Sequence, residues 1–261
     1  MKSNRVKRTL REGGVALGTM VFEFNTTGIA RIAADAGAEF VIFDQEHSGW
    51  GVETVRTMMA TARAADLVPM VRVPATQYHL LARPLDVGAL GLMVPMVETE
   101  EQARLIVRSA KYFPEGGRGT AFGIAHDDYR GGDAVAKMAR ANEEVLLIAQ
   151  IETARGIENV EGIAAVEGID VLWIGHNDLS TSLGVPGQFT HPDYLRAIDR
   201  FFAACRRHGK APGIMATGVE GAREQLAQGY RCLAYSGDIW LYHQALSDGL
   251  AAIRDGASPN A

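Results

Sequence analysis

Short apolar runs recur along the whole chain, at 15–21 (VALGTMV), 40–46 (FVIFDQE), 68–73 (VPMVRV), 91–97 (GLMVPMV), 145–152 (VLLIAQIE), 170–175 (DVLWIG), 211–216 (APGIMA) and 232–236 (CLAYS). Runs this short, continuous rather than alternating, are the pattern of strands buried on both faces, as in parallel sheets. Between them lie stretches with helical spacing of apolar residues, such as 28–37 (GIARIAADAG), 52–66 (VETVRTMMATARAAD), 100–113 (EEQARLIVRSAKYF) and 192–209 (PDYLRAIDRFFAACRRHG). Several end in Gly, a common helix C-cap. Repeated strand-then-helix units predict an α/β protein, a (β/α)8 TIM barrel occupying 1–261 as one domain. A doubly wound open sheet fits less well. No G-x-G-x-x-G follows the first run, and polar residues recur at many strand ends rather than at one crevice.

Two segments break the rhythm. After KYFPEGGRG comes 120–133 (TAFGIAHDDYRGGD), then a helical 134–144 (AVAKMARANEE). Its glycines and polar residues predict a long loop on the catalytic face, a wall or lid of the pocket. The last stretch, 238–256, is amphipathic, with Ile239, Trp240, Tyr242 and Leu246 on offer to one face. Ordinary packing on the barrel accounts for most of that, with a share left for a subunit interface.

Composition narrows the class. The 261 residues are 47% hydrophobic and 22% charged, which suits one sizeable core, and no Pro/Ser-rich linker divides them. A net charge of −5 argues against nucleic acid or an anionic membrane as partner. Cys205 and Cys232 stand alone, without the spacing of a zinc cluster or a disulfide scaffold. The basic start MKSNRVKRTLREGG lacks the apolar stretch of a secretory signal, and no run reaches the ~18 residues of a membrane span. The expectation is a cytoplasmic protein.

The candidate chemistry sits at the strand tips. The second run ends in Asp44-Gln45-Glu46-His47, the third in Arg72, the fifth in Gln150 and Glu152, and the sixth leads to Asn177 and Asp178. Barrel enzymes build their sites on this rim. Glu152 and Asp178 close neighbouring strands, where two carboxylates are placed to hold one hard divalent cation. Gln150 lies two residues from Glu152 and so faces the same side. Each residue alone has a plainer reading: Glu152 as a solvated strand end, Asp178 as a helix cap, His47 as a rim histidine, Arg72 as the counter-ion of Asp44 or Glu46. Their coincidence on one rim favours the functional reading. His191, His208 and His243 fall at a helix start or on helix surfaces. None of Lys2, Lys7, Lys111, Lys137 and Lys210 falls at a strand tip, which argues against a Schiff-base aldolase. Neither a G-x-S-x-G elbow nor a GxxxxGK[ST] loop occurs.

Taken together, FDQEHSGW, VRVP, PLDVGALGLMVPMVETEEQA, YFPEGGRG, QIETARGIENVEGIAAVEGID and IGHNDLS resemble the HpcH/HpaI family of class II, metal-dependent pyruvate aldolases, over nearly the whole chain. The resemblance implies a barrel assembled as a hexamer whose last helix, 238–255, is exchanged between partners. It implies Mg2+ or Mn2+, with Co2+ able to serve, held by Glu152 and Asp178. His47 matches a general base working through a water, and Arg72 matches the group that stabilises the transition state. Asp86, in PLDVG, matches a carboxylate that makes the histidine more basic. It ends a helix-like stretch rather than a strand, which suggests that it reaches the histidine of a neighbouring subunit. Gln150 and the backbone amides of Asn177 and Asp178 match contacts to the 2-oxo acid. The implied partners are pyruvate or another 2-oxo acid and an aldehyde, joined into or released from a 4-hydroxy-2-oxo acid in aromatic or sugar acid catabolism.

An oxaloacetate decarboxylase or an acyl-CoA lyase would use the same enolate. The lyase needs a basic surface, for which Arg118 and Arg130 are the candidates. A non-catalytic 2-oxo acid binder would lack the base. Two departures from the family pattern bear on the aldehyde: His176-Asn177 where Pro-Ala is frequent, and the 120–132 loop where small residues and Arg are common.

Overall fold

A computed structural model of the protein describes residues 2–256. Strands β1 (Ala16–Val21), β2 (Phe40–Asp44), β3 (Val68–Arg72), β4 (Gly91–Val94), β5 (Leu146–Ile151), β6 (Val171–Ile174), β7 (Ala211–Ala216) and β8 (Cys232–Gly237) pair in parallel, each with the next, and β8 closes on β1. This is the closed barrel expected from the alternation of apolar runs and helical stretches. The helices are α1 (Arg5–Arg11), α2 (Ile29–Asp35), α3 (Val52–Ala62), α4 (Tyr78–Asp86), α5 (Glu100–Ala110) and α6 (Ala134–Glu144). They continue with α7 (Ala154–Glu158), α8 (Val160–Ala165), α9 (His176–Ser182), α10 (Pro192–His208), α11 (Val219–Gln228) and α12 (Asp238–Gly256).

Two apolar layers hold this together. Inward residues such as Phe40, Ile42, Met70, Ile148 and Trp173 fill the barrel. Outward residues such as Val41, Phe43, Leu92, Leu147 and Leu172 pack against the helices. α1 is an element that the sequence reading passed over as a basic tail. Its Val6 and Leu10, one turn apart, join the barrel interior and close its N-terminal end.

Three expectations are corrected. The fourth run stops at Val94 rather than 97, because Met96 takes a left-handed backbone (φ 54°). Asn177 and Asp178 are not strand residues; β6 ends at Ile174, and both belong to the first turn of α9. α12 does not pack on the barrel as an ordinary outer helix. Every residue from Ile239 to Asp255 is exposed. The outer face it would have covered stays open, with Leu17 of β1 42% and Tyr235 of β8 36% exposed. A cavity of about 440 Å³ runs along that face, bordered by Leu17, Ile29, Ala33, Tyr235 and Leu241. Among the described residues no helix is long and apolar enough to cross a membrane.

Candidate active site

The turn after β2 is organised by one buried carboxylate. Asp44 pairs with Arg72 across the β2–β3 register, and its Oδ1 accepts from Arg72 Nε at 2.6 Å. The same carboxylate accepts the backbone N–H groups of Glu46 (3.1 Å) and His47 (2.9 Å). It thereby fixes both where Arg72 points and where His47 leaves the strand. Arg72 Nη1 lies 3.1 Å from Glu46 Oε2, and its guanidinium carbon sits 5.6 Å from the centre of the Phe22 ring. Arg72 is thus the counter-ion of Asp44 and Glu46, and it also lines the cavity on this rim. His47 projects outward, its side chain 61% exposed, with Nε2 3.7 Å from Glu46 Oε2.

Across the rim, Glu152 follows β5 and is buried. Its Oε1 accepts the Met96 N–H at 2.7 Å, and its other oxygen accepts from Gln150 Nε2, as expected for residues two apart. Met96 reaches that position only through its left-handed backbone. Gly175, between β6 and α9, is required by the same carboxylate: a Cβ there would lie 2.3 Å from Glu152 Oε2. Burial pushes the Glu152 carboxyl up to about 7, against the two hydrogen bonds, with the charges of Glu46 and Asp178 adding to the rise. Glu46 is raised too, first by burial and then by Asp44 and Asp178, against the pull of Arg72.

His47, Arg72, Gln150, Asn177 and Asp178 line one cavity of about 170 Å³, to which Trp240 also contributes. Asp86 does not. It closes α4 and its Oδ1 takes a hydrogen bond from Arg118 Nη2 at 2.5 Å. Arg118 is therefore buried on Asp86 and over the Tyr112 ring, not part of a basic surface for a nucleotide. The 120–132 loop does not line this cavity either. It is pinned beside α4 and α6 by buried His126 and by Asp127, whose Oδ2 accepts from Lys137 and Gly123. Sequence reasoning named Asp44 and Glu46 without assigning them work, and missed Met96, Gly175, Phe22 and Trp240 as site residues.

The donor set fits a divalent cation that draws its remaining ligands from substrate and water. Among the described residues no cluster of three or more His, Cys, Asp or Glu could hold a metal. Instead the charges of Glu46 and Asp178 add to the rise of the Glu152 carboxyl, and Asp178 adds to that of Glu46, like-charge repulsion that a cation would relieve. Gln150 Oε1 is buried without a hydrogen-bond partner beside them. A chelating 2-oxo acid supplies two oxygens of its own, so two protein carboxylates suffice.

Residues 19–245 match the family described as HpcH/HpaI aldolase/citrate lyase. The chain belongs to that family. Membership makes it a carbon–carbon lyase of the aldolase type. It is 36% identical to the 2-keto-3-deoxy-L-rhamnonate aldolase of Klebsiella pneumoniae over 258 residues, 98% of this chain and 96% of that one. It is 35% identical to the 5-keto-4-deoxy-D-glucarate aldolase of the same organism, over 80% of this chain and 81% of that one. Its fold superposes on the crystal structure of an HpcH/HpaI aldolase from Desulfitobacterium hafniense with a TM-score of 0.92 at 29% identity, covering 100% of both chains.

Proposed function

We propose that this HpcH/HpaI lyase forms or cleaves 4-hydroxy-2-oxo acids through the enolate of pyruvate, or of another 2-oxo acid, and an aldehyde, with Mg2+ or Mn2+ bound at Glu152 and Asp178. The observation that carries the reading is the cavity that Asp178 and Gln150, its Oε1 unpartnered, line with His47 and Arg72, beside which buried Glu152 feels the charge of Asp178. When bound, the divalent ion polarises the keto oxygen and neutralises the negative charge that develops there.

The chain's own residues do the rest. The first-turn amides of α9 at Asn177 and Asp178 face the substrate carboxylate, since such amides have no partner within their helix. Gln150, fixed by its bond to Glu152, orients the 2-oxo acid. His47 takes the C3 proton through a water in the synthetic direction and returns it in cleavage. Arg72, held rigid by Asp44, presents a fixed positive charge to the oxygen that becomes an enolate. Retro-aldol turnover of 4-hydroxy-2-oxo acids, assayed before and after complete metal removal, tests the reading. Turnover that survives metal removal contradicts it.

The open face between β8 and β1 and the exposed stretch Ile239–Asp255 of α12 complement each other, which supports exchange of 238–255 between subunits of a homo-oligomer such as a hexamer. Asp86 lies outside its own chain's cavity, which supports its acting on the histidine of a neighbouring subunit. Mixing Asp86→Asn with His47→Ala chains then restores activity at interfaces that combine two intact residues. No recovery on mixing places the pair within one subunit.

A further inference from the structure

The cavity has two unlike halves. Its polar groups, His47, Arg72, Gln150, Asn177 and Asp178, come from the ends of β2, β3, β5 and the β6–α9 turn. The closed strand order puts β8 and β1 across the barrel from β4 and β5. From that opposite side, and from β7, come Phe22, Met215 and Trp240, and Met20, Met93 and Trp173 form the floor. None of these six carries a charge.

The aromatic part of this wall is built rather than incidental. A Cβ on Gly237 would lie 2.7 Å from Phe22 Cε2 and 2.9 Å from Trp240 Cζ3, so both rings occupy the space that its missing side chain leaves. The rings meet edge to face, with centroids 5.0 Å apart and planes at 73°. Buried Asp238 clamps the two segments together, accepting the N–H groups of Phe22 (2.9 Å), Glu23 (3.0 Å) and Phe24 (2.7 Å). Trp240 nevertheless keeps 49% of its surface open. It is a surface offered at the cavity mouth, not core filling. His176 continues the aromatic rim from the β6 side. It stacks edge to face on Phe189 at 5.4 Å.

Resting on the aldolase reading above, we propose that Trp240, with Phe22 and Met215, is the acceptor side of the site and selects aldehydes bearing a short hydrocarbon or aromatic substituent over polyhydroxylated or carboxylate-bearing ones. The carboxylate and keto oxygens of the 2-oxo acid claim the polar half. The bond forms at C3, the opposite end of that small molecule, so the aldehyde's substituent lies along the apolar half. The step is redox-neutral: the electron pair left at C3 on proton loss forms the new C–C bond, and the aldehyde oxygen takes up a proton. A hydroxyl or carboxylate laid on indole and thioether surface loses water without gaining a partner, whereas a hydrocarbon gains by burial.

The test compares kcat/KM for pyruvate with butanal, benzaldehyde, glyceraldehyde and succinic semialdehyde, each normalised to the rate of pyruvate C3 proton exchange without aldehyde. The wild type favours butanal and benzaldehyde by about tenfold or more, the discrimination that one or two methylenes supply in a hydrophobic pocket. Trp240→Ala lowers the butanal-to-exchange ratio about tenfold. Trp240→Leu, which keeps bulk but not the aromatic face, lowers the benzaldehyde ratio more than the butanal ratio and serves should the alanine variant fail to fold. A wild type that prefers glyceraldehyde or succinic semialdehyde overturns the proposal, as does an unchanged ratio in the Trp240 variants. Absence of C3 exchange in the wild type sinks the aldolase reading itself, and this inference with it.

Discussion

The side chains buried deepest at the two ends of the barrel are satisfied in opposite ways. At the N-terminal end, Asn4 caps α1 by accepting the Lys7 N–H, and its amide donates to the carbonyls of Leu90 and Glu144, both at 2.9 Å. Lys7 Nζ donates to the Val145 carbonyl at 2.6 Å and lies 3.1 Å from Asp170. Buried Glu144 accepts the Asn4 N–H at 2.5 Å and is paired with Arg140 at 2.6 Å. No buried atom of these three side chains lacks a partner. At the C-terminal end, Gln150 Oε1 is buried without a hydrogen bond, Glu152 is held near neutrality, and Met96 sits in the left-handed region. Saturated polar burial closes a fold; unsaturated polar burial and backbone strain mark a place that something else completes.

The comparison is sharpened most strongly at His47. Replacing it by Ala slows pyruvate C3 proton exchange by roughly 10²–10⁴-fold, the usual contribution of a general base. Divalent-ion affinity, read by titration with Mn2+, changes little, because His47 stands outside the donor set. Comparable loss of metal affinity in His47→Ala and Glu152→Ala breaks that division of roles.

A smaller effect comes from pH. The Glu152 carboxyl is raised from its ordinary 4.5 to about 7 by burial. Between these values the folded, metal-free protein holds a proton that the unfolded chain has released, so its stability falls as pH rises through that window. The cation binds the ionised form, so its affinity rises about tenfold per pH unit over the same window and levels off above it. Glu152→Gln abolishes this slope. A pH-independent affinity in the wild type assigns the metal to other groups.

The smallest effect on the chemistry is expected from the closed end. Asn4→Ala removes a helix cap and leaves two carbonyls unsatisfied, a loss of roughly 2–3 kcal/mol measured by urea unfolding. The metal affinity and exchange rate of the folded fraction stay at wild-type values. A drop in either joins the two ends functionally and breaks the comparison.

Most of the barrel was legible because both of its apolar layers leave their mark on every strand. The rim residues Arg72, Gln150 and Glu152 were legible for the same reason, since each ends or follows an apolar run. What escaped depended on neighbours distant in sequence. Asp44 acts as a pivot only because the register sets it beside Arg72. Gly175 matters only because Glu152 crosses above it. α1 hid because its apolar face is two residues among four Arg and Lys in positions 5–11, although Asn4 followed by Val6 and Leu10 was a usable signal. α12 shows the limit of amphipathicity, which tells that a face seeks cover but not which chain provides it.

Everything proposed for this rim rests on a divalent ion at Glu152 and Asp178 that enables deprotonation of a 2-oxo acid. Exchange of pyruvate C3 protons in D2O, followed by NMR, tests it most directly. The account predicts exchange that stops when the wild-type protein is stripped of metal, returns on adding Mg2+, and does not return in folded Glu152→Ala. Exchange that persists in the stripped wild type, or Mg2+-dependent exchange at the wild-type rate in Glu152→Ala, would contradict it.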